Sequence, residues 1–289
     1  MTLWPVHPSK PGQSGLALVA VLWVVAALAL MVMGISHVLR TETRLTHAQQ
    51  SAGLDAGVAD AAIRVVLAQL HQQGRIRHSH ISSQNLQLFN RDVVIDIIPL
   101  NGWINLNHAP ASLLTDALVH AGGLGPDTAQ AMAQVIVQKR EQADAQGKPM
   151  LFQGVEDLMQ IPGLSWDQYI RLFPLFTTAL GNDSVLPNPL AAPLEVLNVL
   201  AQGQIAVAQR ITEQRQGSAP DTTDTTALNG AHYQRSDTQS VEIRATLGSG
   251  DNTALIRTWR VALGTPDHGL PWRVLAIDPI RKNRMPHQP

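Results

Sequence analysis

GLALVAVLWVVAALALMVMGI, residues 15–35, is the stretch that decides the organisation of the chain: a glycine followed by twenty residues without a charged side chain. Helical residues rise about 1.5 Å each, so this run makes about 30 Å of helix, which is the thickness of a bilayer core. We therefore expect a membrane-spanning helix over residues 16–39. The helical pattern goes on beyond it and predicts one continuous helix over residues 16–73.

Three kinds of N-terminal segment have to be weighed against this run. A secretory signal peptide has a shorter apolar region and a small residue after it, whereas here Gly15 precedes the run. An ordinary membrane anchor and a type IV pilin-like leader, residues 1–15, cut behind Gly15, both fit. The leader hypothesis requires a cytoplasmic N-terminus and a periplasmic head. Lys10 on one side and Arg40 and Arg44 on the other do not decide the orientation by charge.

Composition excludes several classes of function. The 289 residues include no cysteine, so disulfides and thiolate chemistry are absent. The net charge of −1 gives no attraction to nucleic acid, and aromatic residues make up only 4%. The sequence has no G-x-S-x-G, P-loop or H-E-x-x-H motif. We expect no enzymatic activity. His78-x-His80 and the pair Asp221 and Asp224 lie in polar segments, where solvated side chains explain them better than zinc or calcium.

Period-2 and helical patterns alternate along the rest of the chain and predict an α+β fold. From Ala56 onward the apolar stripe of the N-terminal helix is expected to cover the protein's own sheet. Asn101-Gly102, between apolar runs, predicts a hairpin turn that joins strands near 92–99 and 103–106. The predicted segments are a first β-hairpin over residues 85–106, a helical domain over 107–216, a linker over 217–238, three strands within 239–278 and a disordered tail over 279–289.

The helical domain contains two turns of one type, GLGPDTAQ at residues 123–130 and IPGLSWDQ at residues 161–168. Each predicts a helix start, with Ser165 as N-cap and Gln168 completing a capping box; Asn107 is a further predicted N-cap. Such helix-hairpin-helix turns bind DNA phosphate through backbone N–H groups. However, residues 103–178 carry four basic and seven acidic residues, and Asp127 and Asp167 lie in the first helical turns. The charge therefore favours packing or protein binding over nucleic acid.

Several motifs occur together and in order along the chain. VLW at residues 21–23 lies in the apolar helix, and Thr-Glu-x-Arg follows at residues 41–44. INLN-x-AP begins at Ile104, VEDLMQIPGL begins at Val155, and a degenerate Ala-Pro copy at residues 190–197 echoes residues 107–114. The combination resembles the minor pseudopilin K family of type II secretion systems. Helix-hairpin-helix segments alone also resemble DNA-uptake receptors, so a membrane-anchored DNA receptor is the alternative function.

The resemblance implies roles for N-terminal residues. Gly15 matches the residue before the prepilin peptidase cut and Leu16 the first residue of the mature protein. Ala20 takes the fifth mature position, where most pilin-like proteins have glutamate and family K does not. A buried glutamate costs about 2.5–3.5 kcal/mol in a bilayer unless it is paired, and a tip subunit has no neighbour above it to supply a partner. Helix packing in the membrane is assigned to Val19, Leu22, Val25 and Ala26.

The resemblance also implies a fold, a location and partners. The fold is a long N-terminal transmembrane, pilin-like α-helix, an antiparallel β-sheet and an inserted all-helical, helix-hairpin-helix or SAM-like domain. The protein would cross the inner membrane once, with its head in the periplasm, and cap the pseudopilus together with the minor pseudopilins I and J. No cofactor and no nucleic acid are expected. Some members of the family bind calcium in the head, but their ligands have no identifiable match in this sequence.

Overall fold

The structure, a computed structural model, describes residues 21–25, 53–143, 147–178, 184–217, 222–249 and 253–284. Two compact units divide the chain, Met1–Leu54 and Asp55–Pro289. In the first unit, residues 21–25 are helical and residue 53 begins a further described helix. Within the described ranges, no helix is both long enough and apolar enough to span a bilayer. The predicted membrane helix over residues 16–39 lies outside the described residues except for 21–25.

One antiparallel sheet forms the core of the second unit and confirms the α+β class with an antiparallel sheet. Its strands are β1 Ser82–Leu88, β2 Arg91–Pro99, β5 Ser240–Ser249, β6 Thr253–Asp267, β7 Leu270–Ile277 and β8 Arg281–Arg284. They lie in the order β1-β2-β5-β6-β7, and β8 also pairs with β6. The structure thus corrects the predicted disordered tail, since four basic and polar residues of that segment pair with β6 at Thr253–Ile256.

Helix α1, residues 53–72, packs on one face of this sheet. Alternate residues of the central strands point toward it, as period-2 patterning requires, and the helix contributes an apolar stripe at helical spacing. This core contains Ala59, Ala62, Ile63, Val66, Leu67 and Leu70 of α1, Val93, Ile95 and Ile97 of β2, and Val241, Ile243, Ala245 and Leu247 of β5. The prediction that the stripe covers the protein's own sheet is confirmed from Ala59 onward.

Polar side chains fix the register of α1 on β6. Asp60 accepts hydrogen bonds from Arg257 Nε at 2.7 Å and from Trp259 Nε1 at 2.9 Å. The Arg64 guanidinium lies 5.3 Å from the centroid of the Trp259 ring, within cation–π distance. A bidentate arginine–carboxylate pair and a ring contact are directional, so they select one helix position among those that hydrophobic packing alone allows.

The first hairpin turns at a different place from the one predicted. Phe89 and Asn90, with φ of 50° and 60°, join β1 to β2, as a two-residue type I′ turn requires. Asn101-Gly102 instead ends β2 in a 3-10 turn, Leu100–Gly102. Glycine is required at position 102 because the backbone of Ala191 lies close to it: a Cβ on residue 102 would lie 2.2 Å from the carbonyl oxygen of Ala191. The short strand β3, Ile104–Asn105, pairs in parallel with β4, Phe176–Thr177, rather than with β2.

A helical block stands between β2 and β5 in the sequence, although these strands are neighbours in the sheet. Its own core includes Leu113, Leu118, Ile136, Leu172 and Leu197, all buried. Its elements are α2 Ala111–His120, α3 Pro126–Glu141, a 3-10 turn Val155–Gln160, α4 Trp166–Leu172, a 3-10 turn Phe173–Leu175, α5 Leu194–Leu200 and α6 Ile205–Gly217. The helical block thus has a hydrophobic core of its own, distinct from the core between α1 and the sheet.

Three helix-turn-helix units build this block. Gly123, Gly163 and Gly203 have φ of 71°, 87° and 82° in the turns before α3, α4 and α6. Positive φ is accessible to glycine without a Cβ clash, so each turn can reverse the chain within a few residues. Ser165 caps α4, and its capping box with Gln168 is confirmed. Asn107 does not cap α2; its side chain bonds the backbone of Phe152 instead.

The two copies of the Ala-Pro repeat are more similar in structure than in sequence. Asn105 Oδ1 accepts the N–H of Asn107 at 2.9 Å, and Asn188 Oδ1 accepts the N–H of Leu190 at 3.0 Å. Each asparagine lies five residues before the proline that precedes α2 or α5. In each copy, an arginine near the end of the following helix, α3 or α6, donates to a carbonyl in the loop before the Ala-Pro helix. Arg140 donates to the Leu106 carbonyl and Arg215 to the Ala192 carbonyl, both at 2.8 Å.

In the segment predicted as a linker, residues 217–238, Gly217 ends α6 and residues 222–238 are packed. Thr223, Thr225, Leu228 and His232 are buried. Backbone and side-chain bonds attach the segment to the helical block: Asn229 donates its N–H to the Leu200 carbonyl at 2.8 Å. The Thr- and Asp-rich composition therefore supplies local turns rather than a flexible connection, because hydroxyl and carboxylate oxygens bond nearby backbone groups.

Candidate functional site

Most residues assigned to membrane assembly lie outside the described residues: Gly15, Leu16, Val19, Ala20 and Ala26. Leu22 and Val25 lie in the helical stretch 21–25, where their side chains are 69% and 59% exposed. Trp23 in the same stretch is also exposed. The described part of the N-terminal segment therefore presents large apolar side chains outward, and the cleavage and packing assignments stay predictions.

The first of the two turns that resemble helix-hairpin-helix motifs is contacted by an arginine of the protein itself. Arg171 of α4 donates to the carbonyl of Gly122 in the first turn at 3.0 Å. Its guanidinium lies within 4 Å of the place where a Cβ on Gly123 would stand. Asp127 lies in the first turn of α3 and Asp167 in the first turn of α4. A phosphate at either helix N-terminus would meet a carboxylate in the first turn, and its charge would be repelled.

Other basic side chains of the helical block are also engaged internally. Lys139 Nζ donates to Gln160 Oε1 at 2.8 Å and lies 5.4 Å from the centroid of the Phe152 ring. Burial lowers the pKa of Arg140, which donates to the Leu106 carbonyl. Binding to DNA releases counterions through free lysine and arginine side chains, so cations held in packing contacts contribute little to it. This geometry fits a block whose cations serve its own packing.

Histidine and aspartate side chains do not assemble into a metal site in the described part of the chain, which holds no cluster of three metal-ligating side chains. Burial is the main cause that lowers the pKa of His78, whose backbone pairs with Thr238 in an isolated bridge. Asp224 accepts bonds from the N–H and hydroxyl of Thr226, and the N–H bond is the main cause that lowers its pKa. Asp221 lies outside the described residues.

A surface that the sequence analysis did not single out lies on α4 and beside it. Trp166, Ile170 and Phe173 are exposed although they are large and apolar. Phe173 also lines a cleft of about 510 Å³ between the helical block and the sheet, together with Trp103, Glu156 and Asp278. The signal was present as a spacing of four and three residues between apolar side chains. A helix was predicted from Ser165 onward, but spacing alone does not show whether an apolar side of a helix is buried or exposed.

Comparisons with known proteins find similarity among solved structures but not among family models or curated proteins. No family model matches the sequence, and no curated protein matches it. The structure is similar to a chain of the crystal structure of the GspK-GspI-GspJ complex from the enterotoxigenic Escherichia coli type 2 secretion system. The TM-score is 0.47 and the sequence identity 14%, over 84% of this chain and 99% of that chain.

Proposed function

We propose that the protein is a minor pseudopilin of a type II secretion system, which caps the tip of the periplasmic pseudopilus and primes its assembly. The observation that carries the proposal is the helical block between β2 and β5, on a sheet whose face is covered by α1. A small antiparallel sheet packed on an N-terminal helix suits a fibre subunit. The added block is bulky, and by the family resemblance it would block the addition of a further subunit.

The sequence supports the same function at the N-terminus. Gly15 precedes an uncharged run, and Ala20 leaves that run without an acidic side chain. An internal subunit would use such an acid to pair with the N-terminal amine of its neighbour, while an unpaired acid is costly in the membrane. A subunit with nothing above it gains by omitting the acid. The partners proposed from the resemblance are the minor pseudopilins I and J, with prepilin peptidase acting on the leader in the inner membrane.

Co-purification with the two partners tests the proposal. We expect Ala26→Arg to abolish recovery of the complex of this chain with minor pseudopilins I and J, because it places a charge in a helix contact formed by Val19, Leu22 and Val25. Val185→Arg, at an exposed position of the head, is the control and should leave recovery unchanged. Survival of the complex with Ala26→Arg would exclude this contact.

Binding to duplex DNA separates this function from the alternative, a DNA-uptake receptor. We expect no gel shift of duplex DNA by the full chain at about 0.15 M salt, because Lys139, Arg140 and Arg171 are held in internal contacts. A shift that weakens steeply as salt rises would instead support the receptor function.

A further inference from the structure

A cavity of about 260 Å³ lies where the end of α1 meets the start of β1, and we call it the α1–β1 cavity. Gln69 and Gln73, in and just after the last turn of α1, line one side, and Ser82 and Gln84 of β1 line another. The segment between the two elements supplies Arg75, Arg77, His78, Ser79 and His80. Polar groups from three parts of the chain thus line one small space.

The charge of this lining is positive. Its ionisable side chains are arginines and histidines, and its described residues include no carboxylate. Arg77 Nη1 donates to Asp237 at 2.8 Å, a residue outside the lining, which leaves the other N–H groups of Arg77 for a ligand. Arg75 forms no ion pair with any described residue. The cavity therefore attracts an anion.

Two nearby negative groups do not cancel this charge. Asp96 accepts a bond from the Ser83 hydroxyl, but strand alternation places this pair on the sheet face opposite Ile97, which packs against α1. The last carbonyls of α1 carry partial negative charge at the helix C-terminus. That of Leu70, which lines the cavity, accepts the N–H of Arg75 at 2.8 Å and is therefore occupied.

The segment that carries the basic groups is fixed before a ligand arrives. His78 and Thr238 exchange two backbone hydrogen bonds, each of 2.9 Å. Asn188 Nδ2 donates to the carbonyl of Ser79 at 2.6 Å. A preformed site loses little conformational freedom on binding, so more of the contact energy appears as affinity.

His78 contributes an unused hydrogen-bond acceptor. Because burial keeps its pKa below the ordinary value of 6.5, the ring is neutral at neutral pH. The ring bonds the backbone of Arg75, whose N–H is already donated to Leu70, so the ring donates to the Arg75 carbonyl. Nε2 is buried and has no partner among the described residues. We therefore assign the ring proton to Nδ1 and a free lone pair to Nε2.

We propose that the α1–β1 cavity binds a protonated phosphate group, either as inorganic phosphate or as the phosphomonoester of a small molecule. Arg75 and Arg77 donate to its charged oxygens, and its O–H donates to His78 Nε2. Sulfate has the same shape but no proton near neutral pH, and the phosphodiester of a lipid headgroup has none either, so both leave Nε2 without a donor. The site does not depend on the proposed pseudopilin N-terminus.

Equilibrium dialysis with radiolabelled inorganic phosphate tests this inference, with the full chain in nanodiscs of phosphatidylcholine and empty nanodiscs as background. The unlabelled competitors, at matched ionic strength and near neutral pH, are phosphate, glycerol phosphate, dimethyl phosphate and sulfate. We expect saturable binding, with sulfate and dimethyl phosphate weaker competitors than phosphate by about tenfold or more, because each lacks the O–H. Stronger competition by glycerol phosphate than by phosphate would assign the site to a monoester, and weaker competition to inorganic phosphate.

Three variants locate the binding. Arg75→Gln should weaken phosphate binding by about tenfold, while Arg273→Gln, at an exposed arginine of β7, should not change it. His78→Gln should remove the preference for phosphate over sulfate, since an amide can turn its NH₂ group toward either anion. Far-UV circular dichroism and the thermal midpoint of each variant establish that it is folded.

Any of three outcomes would overturn the inference. They are absence of saturable phosphate binding, sulfate that competes as well as phosphate in the unmodified protein, and phosphate binding that Arg75→Gln leaves intact.

Discussion

Asn188 joins segments that are far apart in the sequence. Its Nδ2 donates to the carbonyls of Ser79 at 2.6 Å and Ser236 at 2.7 Å, and its Oδ1 accepts the N–H of Leu190. Its backbone N–H donates to the Asn101 carbonyl at 2.7 Å, at the end of β2. The side chain is fully buried. Through its side chain and its backbone, Asn188 thus joins the second repeat to the turn after β2 and to the packed segment 222–238.

Replacement of Asn188 should therefore be costly. We expect Asn188→Ala to lower the free energy of unfolding by about 3 kcal/mol, since it removes three hydrogen bonds of a fully buried side chain and leaves the Ser79 carbonyl and the Leu190 N–H without this partner. Asn188→Asp should cost more at neutral pH, because it places a carboxylate against two carbonyl oxygens. Asn85→Asp, on the exposed side of edge strand β1, is the matched control and should change stability by less than about 0.5 kcal/mol. Urea denaturation measures all three; equal effects of the two aspartates would contradict this role.

His78 predicts a pH dependence of stability. Burial lowers its pKa in the folded state below the ordinary value of 6.5, so the unfolded chain binds the proton more readily. Stability is therefore full above about pH 6.5 and falls as the pH drops below that value. We expect His78→Gln to flatten the stability profile between about pH 5 and 7, while His71→Gln, at an exposed position of α1, leaves it unchanged. Denaturation series at several pH values measure this, and an unchanged slope in His78→Gln would exclude the assignment.

Among the elements, those with a regular period could be predicted from the sequence, and those fixed by distant contacts could not. The alternation of apolar and polar residues in β5, β6 and β7, and the apolar stripe of α1, follow from the burial of one face of each element. The prediction of a hairpin turn at Asn101-Gly102 was wrong. The same dipeptide suits both a positive-φ turn and a tight backbone contact, and only the fold distinguishes these two uses. The packed segment after α6 was missed because Leu228 and His232 are isolated anchors in a polar stretch.

Gly102 provides a prediction for the junction between β2 and the helical block. A Cβ there would lie 2.2 Å from the Ala191 carbonyl oxygen, which is backbone and cannot rotate away. We expect Gly102→Ala to lower the free energy of unfolding by more than about 2 kcal/mol. Gly125→Ala, where a Cβ would meet nothing within 4 Å, should be tolerated. Thermal or urea denaturation of the two variants compares them directly; similar stability would show that the junction relaxes readily.

At the scale of the whole molecule, the described residues of the unit Asp55–Pro289 form two packed cores, one of α1 with the sheet and one of the helical block. The chain leaves the sheet after β2, forms the helical block and returns to the sheet at β5, the neighbour of β2. The block therefore adds bulk without altering the strand order. The order of helical and period-2 segments along the sequence was enough to predict a helical block between strands. The exposure of Trp166, Ile170 and Phe173 was not predicted, because an exposed apolar side chain and a buried one have the same spacing on a helix, and only packing separates them.

Mass spectrometry of the N-terminal peptide tests the central claim most directly. The protein would be isolated from membranes of secreting cells with active prepilin peptidase and of cells in which that peptidase is inactivated. A pseudopilin should begin at Leu16, N-methylated, in the first preparation and retain residues 1–15 in the second. Residues 1–15 still attached in both preparations, with secretion intact, would contradict the account.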